Sequence, residues 1–161
     1  MANFNEHALE MSIMELLKDE GYIYVSGDQI HRERTEVLLT DDLKQYLYNR
    51  YAADGLTPSE VESIILMLRN ISGTIYEANK AVLKLLCDGF IFNREDRTQK
   101  DLYIELIDFD TPENNIFKAV NQFEIEGINN QLRIPDGIVF VNGIPVVVFE
   151  FKSAVKENTT I

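Results

Sequence analysis

The sequence predicts a mixed α/β or α+β domain in which helices fill the first half and strands the last third. Up to Gly89, apolar side chains recur every three or four residues, as they do on one face of a helix. Beyond Gly89 the apolar segments are short and rich in branched and aromatic residues, which is typical of strands. Segments rich in Asp, Asn, Gly and Pro separate these strands and indicate turns.

Four helices are predicted in the first half. In the first helix, Ile13 and Leu17 share one face, and Gly21 is a suitable C-terminal stop. The third begins at Thr57-Pro58-Ser59-Glu60, where threonine can cap the helix, proline suits its first position and the glutamate completes a capping box. The expected helices cover residues 6–20, 41–51, 58–69 and 73–87, with a short strand at 22–25 and a loop at 27–36.

Four strands are predicted in the second half. Their expected ranges are 102–107, 116–125, 137–141 and 146–152, and turn-forming segments at 111–115 and 142–143 separate them. We therefore expect one domain over 1–161, with a helical lobe at 38–88 and the sheet within 100–152.

The composition is that of an ordinary soluble domain. The 161 residues, of which 45% are apolar, are enough for one core. No apolar run approaches the roughly 18 residues of a membrane span, and the polar N-terminus does not resemble a secretory signal. The single cysteine, Cys87, excludes an intramolecular disulfide, so we expect a buried thiol in a cytoplasmic protein.

Two carboxylates and a lysine near the end of the chain form a candidate metal centre. Asp136 follows Pro135, and Glu150 and Lys152 follow an apolar hairpin. Carboxylates are hard ligands suited to Mg²⁺, which keeps water and phosphate in its remaining positions. Asp136 and Glu150 would bind the metal, while Lys152 would orient the attacking water or stabilise the transition state of a nuclease reaction. The alternative is a surface hairpin with an exposed glutamate and lysine, because this spacing is common by chance.

The pairing of this hairpin decides whether the two carboxylates can meet. A two-residue turn at Asn142–Gly143 without a bulge puts Asp136 opposite Phe149. Asp136 then faces away from Glu150, because side chains alternate across a strand. A three-residue loop, or a bulge at Gly137, would pair Asp136 with Glu150 on one face. The metal hypothesis therefore predicts an irregularity in the hairpin.

The second strand of the hairpin should have one buried face and one that opens into the polar site. Val147, Phe149 and Phe151 are predicted to face the core. The other face begins with Val146 and Val148 and ends with Glu150 and Lys152.

Glu10 is a second candidate metal ligand. It lies along the apolar stripe of the first helix with Ile13, Met14 and Leu17, where a carboxylate needs a partner, a cation or a pocket edge. The alternative is an acid in the first helical turn, favoured by the helix dipole. The two histidines, His7 and His31, lack metal-ligand spacing with the cysteine and are expected to be solvated.

The formal net charge of −12 argues against a free-standing nucleic-acid-binding protein, because binding to a polyanion normally draws on a basic surface. Bound cations could offset part of this charge, or other parts of a larger assembly could hold the nucleic acid. We favour the second explanation.

Several blocks of the sequence carry a resemblance to a known family. They are LIDFDTPENN at 106–115, VNQF at 120–123, RIPD at 133–136 and VNGIP at 141–145, leading to EFK at 150–152. Together with Leu9-Glu10 and Gly21-Tyr22 at the opening helix, they resemble the N-terminal nuclease domain of type I restriction enzyme R subunits. The likeness spans nearly the whole chain.

The resemblance implies a restriction-endonuclease-like fold of the PD-(D/E)xK class, with a mixed sheet flanked by helices. It implies Mg²⁺-dependent double-strand cleavage of DNA remote from an unmodified recognition site, after ATP-driven translocation. Asp136, Glu150 and Lys152 match the family's catalytic positions, and Glu10 matches the acidic residue of its opening helix. Methyltransferase and specificity subunits would be the protein partners, and no membrane is implied.

Two features of that family are missing from this sequence. Its subunits carry an ATPase motor, which would hold the ATP, and a glutamine–tyrosine motif just beyond the lysine. We therefore expect a fragment in which cleavage needs parts beyond Ile161. Two other hypotheses stay open, a stand-alone nuclease of the same fold in repair or defence, and a non-catalytic docking module that retains the motif.

Overall fold

The computed structural model describes residues 6–151, apart from the side chains of Glu6 and Ile128. Lys152, the predicted catalytic lysine, lies outside these residues. Within them the helices are α1 (Glu6–Asp19), α2 (Thr40–Tyr51), α3 (Pro58–Arg69) and α4 (Ile75–Asp88). The strands are β1 (Ile23–Ser26), β2 (Phe90–Phe92), β3 (Leu102–Ile104), β4 (Phe117–Asn121), β5 (Ile125–Glu126), β6 (Leu132–Arg133), β7 (Gly137–Val141) and β8 (Ile144–Phe149). The predicted mixed α/β class is confirmed.

The predicted helices agree with the observed ones to within two residues at each end, whereas the strands agree less well. The strand predicted over 146–152 begins and ends earlier, as β8, and two others are shorter than expected. The strand predicted over 116–125 ends as β4 at Asn121, because Gln122 has a φ of 52° and leaves the extended conformation. The strand predicted over 102–107 is limited to β3, which pairs with the unpredicted strand β2. The other two unpredicted strands, β5 and β6, have two residues each and form a small hairpin.

The described chain forms two compact units. The first comprises residues 6–38 and 117–151, and the second comprises Leu39–Ile116. The first unit contains a four-stranded mixed sheet in the order β1-β4-β7-β8. Strand β1 is parallel to β4, while β4–β7 and β7–β8 are antiparallel. Helix α1 packs against β1 and β4.

The core of the first unit lies around the two central strands, β4 and β7. Every residue of β7 is buried, as expected for a central apolar strand. The rings of Phe123 and Phe140 are 5.3 Å apart in this core. Met14 of α1 is 1% exposed and lies so close to Gly137 that a Cβ there would collide with its terminal methyl group. Glycine at the start of β7 therefore lets α1 approach the sheet.

The second unit has its core between α2 and α3 and also includes α4 and the β2–β3 hairpin. Leu43, Leu47, Val61 and Ile64 are fully buried in it. The capping box predicted at the start of α3 is present, with Thr57 and Glu60 bonded reciprocally. Glu60 is also buried and pairs with Arg94 across 2.7 Å.

Three predictions about burial are wrong or incomplete. Cys87 is exposed, because it lies on α4, a helix without a buried residue. Val147 is 43% exposed and does not face a core. Phe149 and Phe151 are half-buried, and their rings stack on each other at 5.9 Å.

None of the helices in the described range is long and apolar enough to cross a membrane.

Candidate active site

The β7–β8 hairpin contains the irregularity on which the metal hypothesis depends. The turn has two residues, Asn142 and Gly143, and both have positive φ, as favoured in tight hairpins. The three-residue loop is therefore wrong. The register shifts farther along, where Phe140 pairs with Pro145 but Val139 pairs with Val147.

Val146 is thus the extra residue of a β-bulge, in β8 rather than at Gly137. Pro145 has no N–H to donate to the strand ladder, and prolines within sheets occur at edges and bulges. The bulge next to Pro145 shifts the register by one residue, so that Gly137 is opposite Phe149. Asp136 and Glu150 are the next residues beyond this last pair, and continuing the register by one position would set them opposite each other.

The alignment of the two carboxylates is supported by a hydrogen bond at the end of the hairpin. The backbone N–H of Phe151 donates to Asp136 Oδ2 across 2.5 Å. Asp136 is half-buried and Glu150 is exposed. Asp136 precedes the first residue of β7 and Glu150 follows the last residue of β8, so both carboxylates lie at one end of the sheet.

Glu10 reaches the same end of the sheet from α1. Its side chain is buried, and Glu10 Oε1 accepts hydrogen bonds from Asn121 Nδ2 at 2.8 Å and Gln122 Nε2 at 3.3 Å. One helical turn later, Met14 packs on Gly137, the residue after Asp136. The end of β4 and the start of β7 therefore position two of the predicted ligands.

His7 is exposed, as predicted, and its imidazole contacts Glu10. Its Nδ1 lies 3.4 Å from Glu10 Oε2, so the imidazole borders the carboxylate from the solvent side. This contact follows from the i, i+3 spacing of the two residues on α1.

The donor atoms at this end of the sheet suit a hard divalent cation, since carboxylate oxygens are the ligands that Mg²⁺ takes from proteins. The hydrogen bond from Phe151 engages one oxygen of Asp136 and leaves the other outside that bond. No three His, Cys, Asp or Glu side chains among residues 6–151 lie close enough together to hold a metal ion. Glu10, Asp136 and Glu150 thus lie at one end of the sheet, but the described residues do not form a three-ligand site.

Sequence reasoning missed the polar residues that hold Glu10. Asn121 and Gln122 directly follow the buried residues of β4, and Asn121 is itself 4% exposed. Tyr24 of β1 donates its hydroxyl hydrogen to Asn121 Oδ1 across 3.1 Å. A polar pair at the end of an apolar strand, inside a block shared with a known family, was the pattern that could have revealed them.

A cavity of about 310 Å³ opens beside Gln122. Arg32 lies over the Phe123 ring at 3.5 Å and donates to the backbone carbonyls of Glu33, Glu36 and Glu124. Burial lowers the pKa of Arg32, although Glu36 and Glu124 oppose the shift. The other arginine of the cavity, Arg34, pairs with the Glu124 carboxylate. The guanidinium groups of Arg32 and Arg34 therefore both bond to other groups of the first unit.

The segment 106–115, which carried much of the resemblance, stabilises its own loop. Asp108 Oδ1 accepts the backbone N–H of Thr111 at 2.9 Å, and Oδ2 accepts from Asn114 Nδ2 at 2.8 Å. Asn115 bonds to the backbone N–H and C=O of Asp108, and Arg50 pairs with the Asp108 carboxylate. The hydrogen bonds from Asn114 and Thr111 lower the pKa of Asp108. These contacts explain the segment as a structural element of the second unit.

A model of the N terminus of type I restriction enzyme R proteins matches residues 3–160. The chain therefore belongs to this family, and the resemblance noted in the sequence is confirmed. It is 33% identical over 170 residues to the putative type I restriction enzyme MjaIXP endonuclease subunit of Methanocaldococcus jannaschii. It is 31% identical over 167 residues to the type I restriction enzyme HindI endonuclease subunit of Haemophilus influenzae.

The matches cover nearly all of this chain but a small part of each relative. They include 99% and 98% of the chain, and 16% of the length of each relative. The chain thus corresponds to the N-terminal region of an R subunit, about one sixth of the relatives it matches.

Proposed function

We propose that this chain is the endonuclease domain of a type I restriction R subunit, with a PD-(D/E)xK fold that hydrolyses DNA phosphodiesters. The observation that carries the proposal is the bulge at Val146, which shifts the register so that its continuation beyond the Gly137–Phe149 pair would set Asp136 opposite Glu150. A surface hairpin needs no such alignment. The family membership and the names of the relatives, both endonuclease subunits, support the same conclusion.

The proposed roles follow from the positions of the side chains. Asp136 and Glu150 are the proposed ligands of a Mg²⁺ ion, with Glu10 as the third acid at the same end of the sheet. When bound, the ion would stabilise negative charge on the phosphate and acidify a water molecule. The Phe151 N–H holds Asp136 in place before any ligand arrives. Lys152 would follow directly and stabilise the charge that develops in the transition state.

The net charge of −12 is unfavourable for binding DNA by this domain alone. We propose that the basic surfaces that hold DNA belong to the rest of the R subunit and to the methyltransferase and specificity subunits. The ATP that drives translocation would bind in the motor part of the subunit. This division fits a chain that corresponds to 16% of the length of its relatives.

The test is DNA cleavage by the assembled full-length enzyme with Asp136→Asn. This change keeps the size and polarity of the side chain but removes the negative charge that binds a cation. We expect cleavage to fall at least about 100-fold, as for loss of a principal charge-stabilising group, while ATP hydrolysis is unchanged. Asp19→Asn, at the exposed C-terminal end of α1, is the matched control and should cut normally. Normal cleavage by Asp136→Asn would exclude the proposed centre.

A docking module is the second candidate, favoured by the valines Val146, Val147 and Val148, which are 41–59% exposed on the outer strand of the described sheet. In that case Lys152→Ala in the full-length enzyme would still cut DNA, whereas a nuclease centre would lose most of its activity. DNA cleavage by Lys152→Ala therefore distinguishes a docking module from a nuclease centre.

A further inference from the structure

Three acidic side chains are buried in the described part of the chain, and they differ in their partners. Glu60 pairs with Arg94, and Asp108 pairs with Arg50, so an arginine neutralises each of them. Glu10, 6% exposed, is bonded by the side-chain amides of Asn121 and Gln122, and its only ion-pair contact in the described range is the exposed His7.

Amide donors satisfy the hydrogen-bonding needs of a buried carboxylate without cancelling its charge. A buried charge is costly unless it is paired or coordinates a metal. A buried carboxylate bonded by amides rather than by an arginine is therefore the arrangement expected where a cation supplies the counter-charge. A purely structural acid at this position would gain more from an arginine, as Glu60 and Asp108 do.

Both ends of the Asn121 side chain are hydrogen-bonded. Its amide nitrogen donates to Glu10, and its Oδ1 accepts from the Tyr24 hydroxyl at 3.1 Å. The Glu10 carboxylate fixes this orientation, because the opposite one would place the amide oxygen against it, acceptor against acceptor. The Tyr24 hydroxyl then holds the amide in the orientation in which it bonds to Glu10.

The three residues come from three elements that meet at one end of the sheet. Tyr24 lies on β1 and Asn121 ends β4, which runs parallel to β1 with Asn121 opposite Ser26. Glu10 lies on α1, which packs against both strands. Continuing the β4–β7 register by one position places Asn121 beside Gly137, next to Asp136.

We infer that Asn121, held by Tyr24, is a positioning residue that aims the Glu10 carboxylate at a divalent cation shared with Asp136. This inference rests on the proposed function, because it assigns a support to one ligand of the same centre. Asn121 touches neither metal nor substrate in this role. It acts through Glu10, as groups bonded to metal ligands do.

The test is Mn²⁺ binding to the full-length protein without nucleotide, measured by electron paramagnetic resonance. Asn121→Leu removes the donor at similar size and should weaken Mn²⁺ binding about 10-fold or more. Tyr24→Phe removes a single oxygen and should produce a smaller loss in the same direction. Tyr76→Phe, on an exposed tyrosine of α4, is the matched control and should leave Mn²⁺ binding unchanged.

A double variant distinguishes positioning from a general loss of stability. In a Glu10→Gln background, Asn121→Leu should weaken Mn²⁺ binding no further, because the carboxylate that it positions is gone. If Asn121→Leu lowers the melting temperature but leaves Mn²⁺ affinity intact, Asn121 is structural and the inference is wrong. If Asn121→Leu does not fold, Tyr24→Phe decides by the same criterion.

The failure of this inference differs from that of the proposed function. If Asp136→Asn and Glu10→Gln weaken Mn²⁺ binding but Asn121→Leu and Tyr24→Phe do not, the metal centre stands and the positioning role falls. If Asp136→Asn and Glu10→Gln also leave Mn²⁺ binding unchanged, the metal centre itself is wrong, and the inference fails with it.

Discussion

Glu60 shows how a single residue can link a helix cap to a buried ion pair. Its carboxylate accepts from Thr57 and from the backbone N–H of Glu95, as well as from Arg94. Burial would raise the pKa of Glu60, but the hydrogen bonds from Arg94, Thr57 and Glu95 outweigh it and lower the pKa to about 2. Arg94 in turn donates to the carbonyls of Asp54 and Gly55, so the pair joins α3 to two loops of the second unit.

Replacing Glu60 with Gln should destabilise the protein by about 3–5 kcal/mol, because it leaves the buried Arg94 charge without a counter-charge. The check is urea denaturation at neutral pH. Glu62→Gln, on the same helix, is the matched control. Glu62 pairs with Lys44 at the surface and is 59% exposed, so we expect a loss of less than about 1 kcal/mol. Equal losses for the two variants would contradict the role of the buried pair.

The contribution of Glu60 should also depend on pH in a defined direction. The pKa of its carboxyl is about 2 in the folded protein, below the ordinary value of 4.5. Its stabilisation is therefore complete above pH 4.5 and declines as the pH falls toward 2. The difference in stability between wild type and Glu60→Gln should shrink over this interval. A difference that grows with acid would contradict the depressed pKa.

At the scale of elements, the β7–β8 hairpin shows why local patterns were insufficient. Asn142–Gly143 is a strong two-residue turn, and taken alone it predicts the register in which Asp136 faces away from Glu150. The bulge at Val146 changes that register. Three residue pairs follow the bulge before the strands end next to Asp136 and Glu150. Pro145 lacks an N–H and therefore favours an irregularity in this strand, but the position of a bulge also depends on the neighbouring strand.

The contact between α1 and β7 makes a prediction at this scale. Gly137→Ala would place a Cβ against the Met14 terminal methyl group and near the Phe149 ring. Overpacking of this kind costs about 1–3 kcal/mol, measurable by thermal or chemical unfolding. A Met14→Ala change in the same chain should relieve the clash, so the two losses should be less than additive.

Gly127→Ala is the matched control for that experiment. Its Cβ would lie 3.7 Å from the nearest carbonyl, and the backbone there is not left-handed. We expect a change within about 0.5 kcal/mol. Strictly additive effects of Met14→Ala and Gly137→Ala would show that α1 does not pack on β7 as described.

At the scale of the whole molecule, the charge balance is the dominant property. The chain has 27 acidic and 15 basic residues, so self-repulsion opposes folding at low ionic strength. The buried pairs at Glu60 and Asp108 are shielded from salt, whereas repulsion among surface carboxylates is screened. Salt should therefore favour the folded state.

We expect the melting temperature to rise between about 10 mM and 150 mM NaCl, over which the screening length falls from about 30 Å to 8 Å. Differential scanning calorimetry in a buffer of constant pH is the measurement. A neutral osmolyte at matched osmolality is the control and should not reproduce the whole shift. A melting temperature that falls with salt would show that attractive surface pairs outweigh the repulsion.

The sequence alone determined the helices, the mixed α/β class and the family, because these depend on local periodicity, caps and short blocks of residues. It also singled out Asp136, Glu150 and Glu10 as acids with an unusual setting. Tertiary structure decided what those acids can do, since strand register and the packing of α1 depend on contacts between distant residues. Only those contacts brought the register of β7 and β8 to Gly137 opposite Phe149, next to Asp136 and Glu150, and brought Asn121, itself bonded to Tyr24, to Glu10.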